Sequence, residues 1–322
     1  MVSKAIAPSN TKNRPYVMKA GSSVLSDFAD GRSVYGYPGE YYGRTYFVNN
    51  ITGDSSYDGL SWDTPFDEVS TAITASETYR AAVSGTTNDY QRNIIYVAGT
   101  ATAYGNLTAL PNYCDIIGLG SNPRGNGCNV VTIEGVGVDA AAGSSRGLYL
   151  NGLNFEVSGS FYAMDVSLML RSTIENCVFQ ASDANGTAAA SGAFRATGAF
   201  AGNTIINCTF GITDGTYACT NGFEQTSGVG NNNWFENNIF FGDAYPVLLA
   251  TATNDSGTVW KNNYMHSHKA ETEPTSGSQF GDYCILAGNY MVGGNTPIIS
   301  VAAAQKLGNI IQDGGASSVA QA

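Results

Sequence analysis

Five segments of this chain are variants of one phrase: Thr173–Phe179, Thr204–Phe210, Trp234–Phe240, Val259–Met265 and Ile285–Met291. Their central residues are Asn176, Asn207, Asn237, Asn262 and Gly288, separated by 31, 30, 25 and 26 residues on subtraction. A short strand-forming unit recurring at that period cannot bury its apolar face alone. It does so by stacking on its neighbours, which makes the chain a solenoid. The expected fold is therefore all-β, with parallel strands laid coil upon coil.

Within one copy, Ile174 points inward and Glu175 outward, following the two-residue alternation of a strand. Asn176 breaks that alternation, so that Cys177 and Phe179 face inward. So tight a turn needs left-handed backbone geometry, which Asn and Gly tolerate best. Asn176, Asn207, Asn237, Asn262 and Gly288 are accordingly expected to form a stacked turn, with side-chain amides hydrogen-bonding along it. Phe179, Phe210, Phe240, Met265 and Met291 are expected to form a core stack. Cys177 and Cys208 occupy one position in consecutive copies, either as two small buried hydrophobes or as a disulfide.

Composition narrows the function classes. Charged residues make up 13 % of the 322, about half the usual share of roughly 25 %. The net charge is −11, and no Lys or Arg lies between Arg195 and Lys261. A nucleic-acid groove needs clustered cations, so that class is excluded. No apolar run reaches the ~18–20 residues of a membrane span. The first ten residues contain no apolar core of signal-peptide length, so a chain starting at its native Met1 is expected to be used without Sec export. The six cysteines form no C-x-x-C pair, so no zinc or thioredoxin motif is indicated.

Four regions follow. Residues 1–44 form an irregular arm with the tyrosines Tyr35, Tyr37, Tyr41 and Tyr42. Such an arm either folds back on its own body or docks onto an assembly, because Tyr offers contact area with a polar tip. Residues 45–92 hold an opening strand, a loop and a helix. Thr64 is its expected N-cap, Pro65 its first residue and Asp67 part of a capping box, with Phe66, Val69 and Ile73 as its apolar stripe to about Val83. That helix is expected to lid the first open coil. Residues 93–311 form the strand stack and 312–322 a tail.

The repeat, together with Tyr46–Asn49, Gly53-Asp54, Asp58–Trp62, Thr64–Phe66 and Ile95–Val97, resembles the right-handed parallel β-helix of the pectin-lyase-like superfamily. The opening resembles phage and bacterial members in particular, and the resemblance covers roughly residues 45–311. It implies a single-stranded right-handed β-helix with an N-terminal capping helix. That superfamily hosts lyases, hydrolases, tailspikes, adhesins and inert structural pieces. Taken with the phage-like opening, the Tyr-rich arm, the low charge, the expected lack of Sec export and the absent catalytic motifs, the expected function is a non-enzymatic structural or attachment protein of a virion, anchored to capsid or tail by residues 1–44. Other virion proteins are then its partners, and it forms a homo-oligomer, possibly a trimer. The alternatives are a tailspike-like depolymerase that binds or cleaves a host surface glycan, and a bacterial surface adhesin. No cofactor is implied.

The Asn-Thr-Asp, Asp-Asp, Gly-His-Gly and Arg-Ile-Lys motifs of hydrolases in that superfamily are absent. For catalysis the only alternative pair is Glu175 and Glu236, two coils and roughly 10 Å apart, with Ile206 between them. That spacing is marginal with an apolar residue in the middle, so both are expected to be solvated surface glutamates. Glu236 and Lys261 are placed for a cross-coil ion pair worth under ~1 kcal/mol. The alternative metal ligands are Asp54 with Asp58, suited to Ca²⁺, and His266 with His268, side by side on one strand face. Trp234 and Trp260 either contribute an aromatic face for sugar stacking or fill the core.

Overall fold

The computed structural model describes residues 42–83, 92–120, 131–135, 143–158, 161–182, 192–211, 219–249, 256–267, 278–280, 283–293, 298–299, 305–312 and 319–321. Tyr35, Tyr37, Tyr41 and His268 lie outside these residues. Tyr42 is described as backbone only, as the first residue of strand β1 (Tyr42–Val48).

The chain is a parallel β-helix. Among the described residues its strands form three sheets of ten, nine and seven, and from Cys114–Leu119 onward successive coils contribute a strand to each sheet in turn. The recurring phrase spans one corner: a three-residue strand on the first sheet, one left-handed residue, one inward residue, and a strand on the second sheet. The expected turn geometry is present, with φ of 53°, 55°, 55° and 53° at Asn176, Asn207, Asn237 and Asn262, and 64° at Gly288. Gly152 and Gly308 extend it by one coil at each end, at 69° and 60°.

The amide ladder lies elsewhere than expected. Asn176, Asn207, Asn237 and Asn262 are exposed, because a left-handed residue at an outer corner aims its Cβ at solvent. The following residue points inward, and the ladder runs through it. The Cys208 N–H donates to Asn238 Oδ1 at 2.8 Å. Asn238 donates both its backbone N–H and its Nδ2 to Asn263 Oδ1, at 2.9 and 3.1 Å. Asn263 repeats this onto Asn289, and Asn289 onto Asn309. A second ladder runs at another corner, from Ser172 N–H to Asn203 and from Asn203 to Asn233. Buried backbone donors need partners, and these amides supply them where the chain leaves a sheet.

The interior is built by aligning like on like. Phe155, Phe179, Phe210, Phe240, Met265 and Met291 occupy one in-register column of the second sheet. Successive Phe rings are near-parallel, 4.7–5.2 Å apart between centroids. All six are essentially inaccessible to solvent. Cys177 and Cys208 are buried thiols rather than a disulfide. Burial, and then the neighbouring Cys208, pushes the Cys177 thiol well above its ordinary range.

Both ends differ from expectation. The helix α1 covers Val69–Val83, starting about four residues later than its sequence signals suggest. Phe66 instead pairs with Val48 in a parallel bridge, donating its N–H to Phe47 O and accepting from Asn49 N–H. Thr64 donates its hydroxyl to Asp58 Oδ1 rather than capping the helix. The reason lies in β1, the edge of the first sheet. The exposed edge of an outermost strand is covered by any adjacent backbone that can pair with it, and that requirement overrides the local capping signals. Val69, Ala72 and Ile73 do bury against the opening coil, in one cluster with Val48, Val97 and Leu107. At the other end, Val319–Gln321 adds an antiparallel strand to Ile310–Gln312, so the tail also contributes a sheet edge.

Candidate functional site

The sequence-derived candidates are dispersed. Glu175 and Glu236 share one outward column with Ile206 between them. Glu175 Oε2 accepts from the Tyr149 hydroxyl at 2.8 Å. Glu236 accepts from Lys261 Nζ at 2.7 Å and from Trp234 Nε1 at 2.9 Å. Those two hydrogen bonds, Lys261 first, hold the Glu236 carboxyl below its ordinary pKa. Among the described residues, the in-register neighbours are Asn151 and Ile206 for Glu175, and Ile206 and Lys261 for Glu236, none of them a carboxylate.

Asp54 accepts from the Ser56 N–H, and Asp58 from the Leu60 N–H and the Thr64 hydroxyl. These bonds lower both carboxyl pKa values and fix the turns of the opening loop. His266 lies in a ring cluster with Phe241 and Tyr264 on the second sheet. Among the described residues, no group of three or more His, Cys, Asp or Glu is arranged to hold a metal ion. No helix among them is long and apolar enough to cross a membrane.

A further ionisable cluster lies on the third sheet, where sequence reasoning placed nothing. Strands Tyr162–Leu170, Gly192–Ala201 and Asn221–Gln225 pair in register, setting Asp165, Arg195 and Glu224 side by side. Inward-facing Met164, Phe194 and Phe223 fill the core beneath them. Arg195 meets Asp165 in a fork, Nη2 to Oδ2 at 2.6 Å and Nε to Oδ1 at 3.3 Å. Its guanidinium sits 4.4 Å from the Tyr162 ring centroid, a cation–π contact.

Tyr162 reaches across the next coil, and Gly192 makes that possible. A Cβ at Gly192 would lie 2.2 Å from the ring's Cε1. The Tyr162 hydroxyl donates to Glu224 Oε2, which also accepts from Asn221 Nδ2 at 2.9 Å. Asn221 Oδ1 is buried without a hydrogen-bond partner among the described residues.

Burial, and next the hydrogen bond to Glu224, pushes the Tyr162 phenol far above its ordinary value of 10.0. The phenol is therefore a donor at neutral pH, not a base. The two carboxylates lie two strand spacings apart, roughly 9.6 Å, with a cation between them. That backbone spacing falls just beyond the ~6.5–9.5 Å carboxyl separation used by inverting glycosidases.

The pH dependence follows from the raised phenol. A folded-state pKa above the unfolded value stabilises the fold below pH 10 and loses that contribution as pH rises further. Tyr104, pushed up to about 12 chiefly by burial, acts in the same direction. The midpoint of thermal unfolding is expected to fall as pH rises from 10 to 12. Tyr162→Phe should flatten that fall, and an unchanged slope would remove Tyr162 as its source.

One sequence signal for this cluster existed. Asp165, Arg195 and Glu224 precede the turn residues Asn176, Asn207 and Asn237 by 11, 12 and 13 residues, by subtraction. The offset grows by one per coil, so a fixed-period reading does not align them.

No family model matches the chain, and no curated protein matches it in sequence. Among solved structures it is similar to Escherichia coli YbhC, with 11 % identity over 95 % of this chain and 93 % of that one, at a TM-score of 0.46. It is also similar to PfbA, a surface adhesin of Streptococcus pneumoniae, with 11 % identity over 76 % of each chain, at a TM-score of 0.34. At these values neither similarity bears on function.

Proposed function

We propose that this chain is a non-enzymatic structural and attachment protein of a virus particle. In this reading the β-helix is a rigid projecting body, and residues 1–44 join it to capsid or tail proteins. The observation that carries the reading is how the acids of the solenoid face are engaged. Glu175, Glu236, Asp165 and Glu224 each accept hydrogen bonds from neighbouring side chains. They bind strand to strand in the manner of clasps. The stacked aromatic columns and amide ladders beneath them supply stiffness along the axis. Low charge and a Tyr-rich N-terminal sequence support assembly through that arm.

Deleting residues 1–41, which leaves β1 whole, tests the reading. Incorporation into particles is expected to be lost while the isolated body still melts cooperatively. Undiminished incorporation would overturn the anchoring role.

A second reading, a glycan-cleaving depolymerase, is favoured by one observation, the third-sheet cluster. Incubation with host surface polysaccharide followed by a reducing-end assay separates the two. The structural reading expects no product. Release that disappears in Glu224→Gln or Asp165→Asn would establish the enzyme.

A further inference from the structure

The first sheet presents an outer strip over four successive strands. Thr204, Trp234, Val259 and Ile285 form one outward column, and Ile206, Glu236, Lys261 and Ala287 the other. Trp234 is 38 % exposed, yet its ring is held in place. Its indole N–H is bonded to Glu236, and Lys261 Nζ lies 5.7 Å from the ring centroid. The only charges in the two columns are Glu236 and Lys261, which neutralise each other at 2.7 Å. In a chain of net charge −11, a neutral strip is where two copies approach with least repulsion.

The strip is also complementary to itself. We infer that it is a contact surface between two copies of this chain, related by a twofold axis. The axis runs parallel to the strands, midway between Trp234–Glu236 and Val259–Lys261. Rotation about it sets each Glu236 opposite Lys261 of the second copy, and each Trp234 opposite Val259 of the second copy. Thr204 then meets Ile285, and Ile206 meets Ala287. Two intramolecular ion pairs thereby become one network of four alternating charges. A pre-ordered Trp at the centre of such a patch is the residue type that most often dominates association. A closed twofold contact of this kind is the commonest route to a homo-oligomer.

The strip measures roughly 14 Å by 10 Å, from three strand spacings and three residues of strand. That is well below the ~800 Å² per partner of a permanent interface. The expected dimer is therefore weak, with a Kd on the order of 10–100 µM, and weaker at high salt. Such an axis sets the two solenoids antiparallel, so the inference concerns free copies in solution and rests on the face alone.

Sedimentation equilibrium of the full chain up to about 200 µM tests it, with thermal melting of each variant as the check on folding. Wild type is expected to be a monomer–dimer mixture. Glu236→Lys places four cations together and is expected to weaken the dimer at least tenfold, as is Trp234→Ala. The double exchange Glu236→Lys with Lys261→Glu rebuilds the alternating network and should restore wild-type association. A wild type that stays monomeric, an undiminished Glu236→Lys dimer, or a double exchange no better than Glu236→Lys would each overturn the proposal.

Discussion

Trp260→Ala is expected to destabilise the fold by about 4 kcal/mol, within the range for truncating a buried large aromatic. The Trp260 ring is inaccessible to solvent. It lies face to face with Phe235, with centroids 3.9 Å apart and planes 2° from parallel. Phe280, Phe240 and Phe223 meet it at steep angles, at 5.2, 5.8 and 6.1 Å. Alanine removes the centre of this five-ring cluster, and rings stacked in register cannot close the space without breaking that register. Because solenoid coils interact mainly with their neighbours, the loss should appear first around residues 235–286. Hydrogen exchange resolved by segment, alongside thermal unfolding, checks this. Trp234→Ala, at an exposed position one residue earlier in repeat phase, should cost under about 1 kcal/mol. Equal losses from the two substitutions would contradict the packing account.

Asn263→Ala should cost about as much, roughly 3–5 kcal/mol, for a different reason. Asn263 Oδ1 accepts from both donors of Asn238, and its Nδ2 donates to Phe235 O and Asn289 Oδ1. Alanine strands several of these buried groups at once, and each stranded group costs ~1–3 kcal/mol. Asn262, its neighbour, is the contrasting case. It is exposed and holds φ at 53°, so Asn262→Gly should be close to neutral. Asn262→Ala should cost about 1 kcal/mol, from left-handed strain alone. Urea unfolding of the three variants checks the ranking. If Asn262→Ala proved as damaging as Asn263→Ala, the ladder would have been assigned to the wrong residue.

That pair of asparagines marks how much of the molecule was legible in advance. The turn at Asn176, Asn207, Asn237, Asn262 and Gly288 was readable because left-handed backbone restricts residue choice at a single position. The Phe179-to-Met291 stack was readable because strand alternation and a fixed step from that turn place the side chains. The amide ladder was misplaced by one residue, since an Asn in the turn and an Asn beside it look equally suited to hydrogen bonding. Only the direction of the Cβ, inward at Asn263 and outward at Asn262, separates them. The helix start was displaced for a similar reason. Thr64, Pro65 and Asp67 carry capping signals, but the uncovered edge of β1 draws Phe66 into pairing first.

The third-sheet cluster was beyond local reading altogether. Tyr162 and Glu224 are 62 residues apart, and they meet because two coils of unequal length return to one register and Gly192 leaves room for the ring between them. The sequence by itself determined that this chain stacks coils, where each coil turns its tightest corner and which residues line the spine. All of these are set by repeating short-range constraints on backbone and side-chain direction. Tertiary structure decided which outward side chains away from the repeated phrase become neighbours: Arg195 with Asp165, and Tyr162 with Glu224. Those neighbours depend on the length of every connection between coils, a sum that local pattern does not encode.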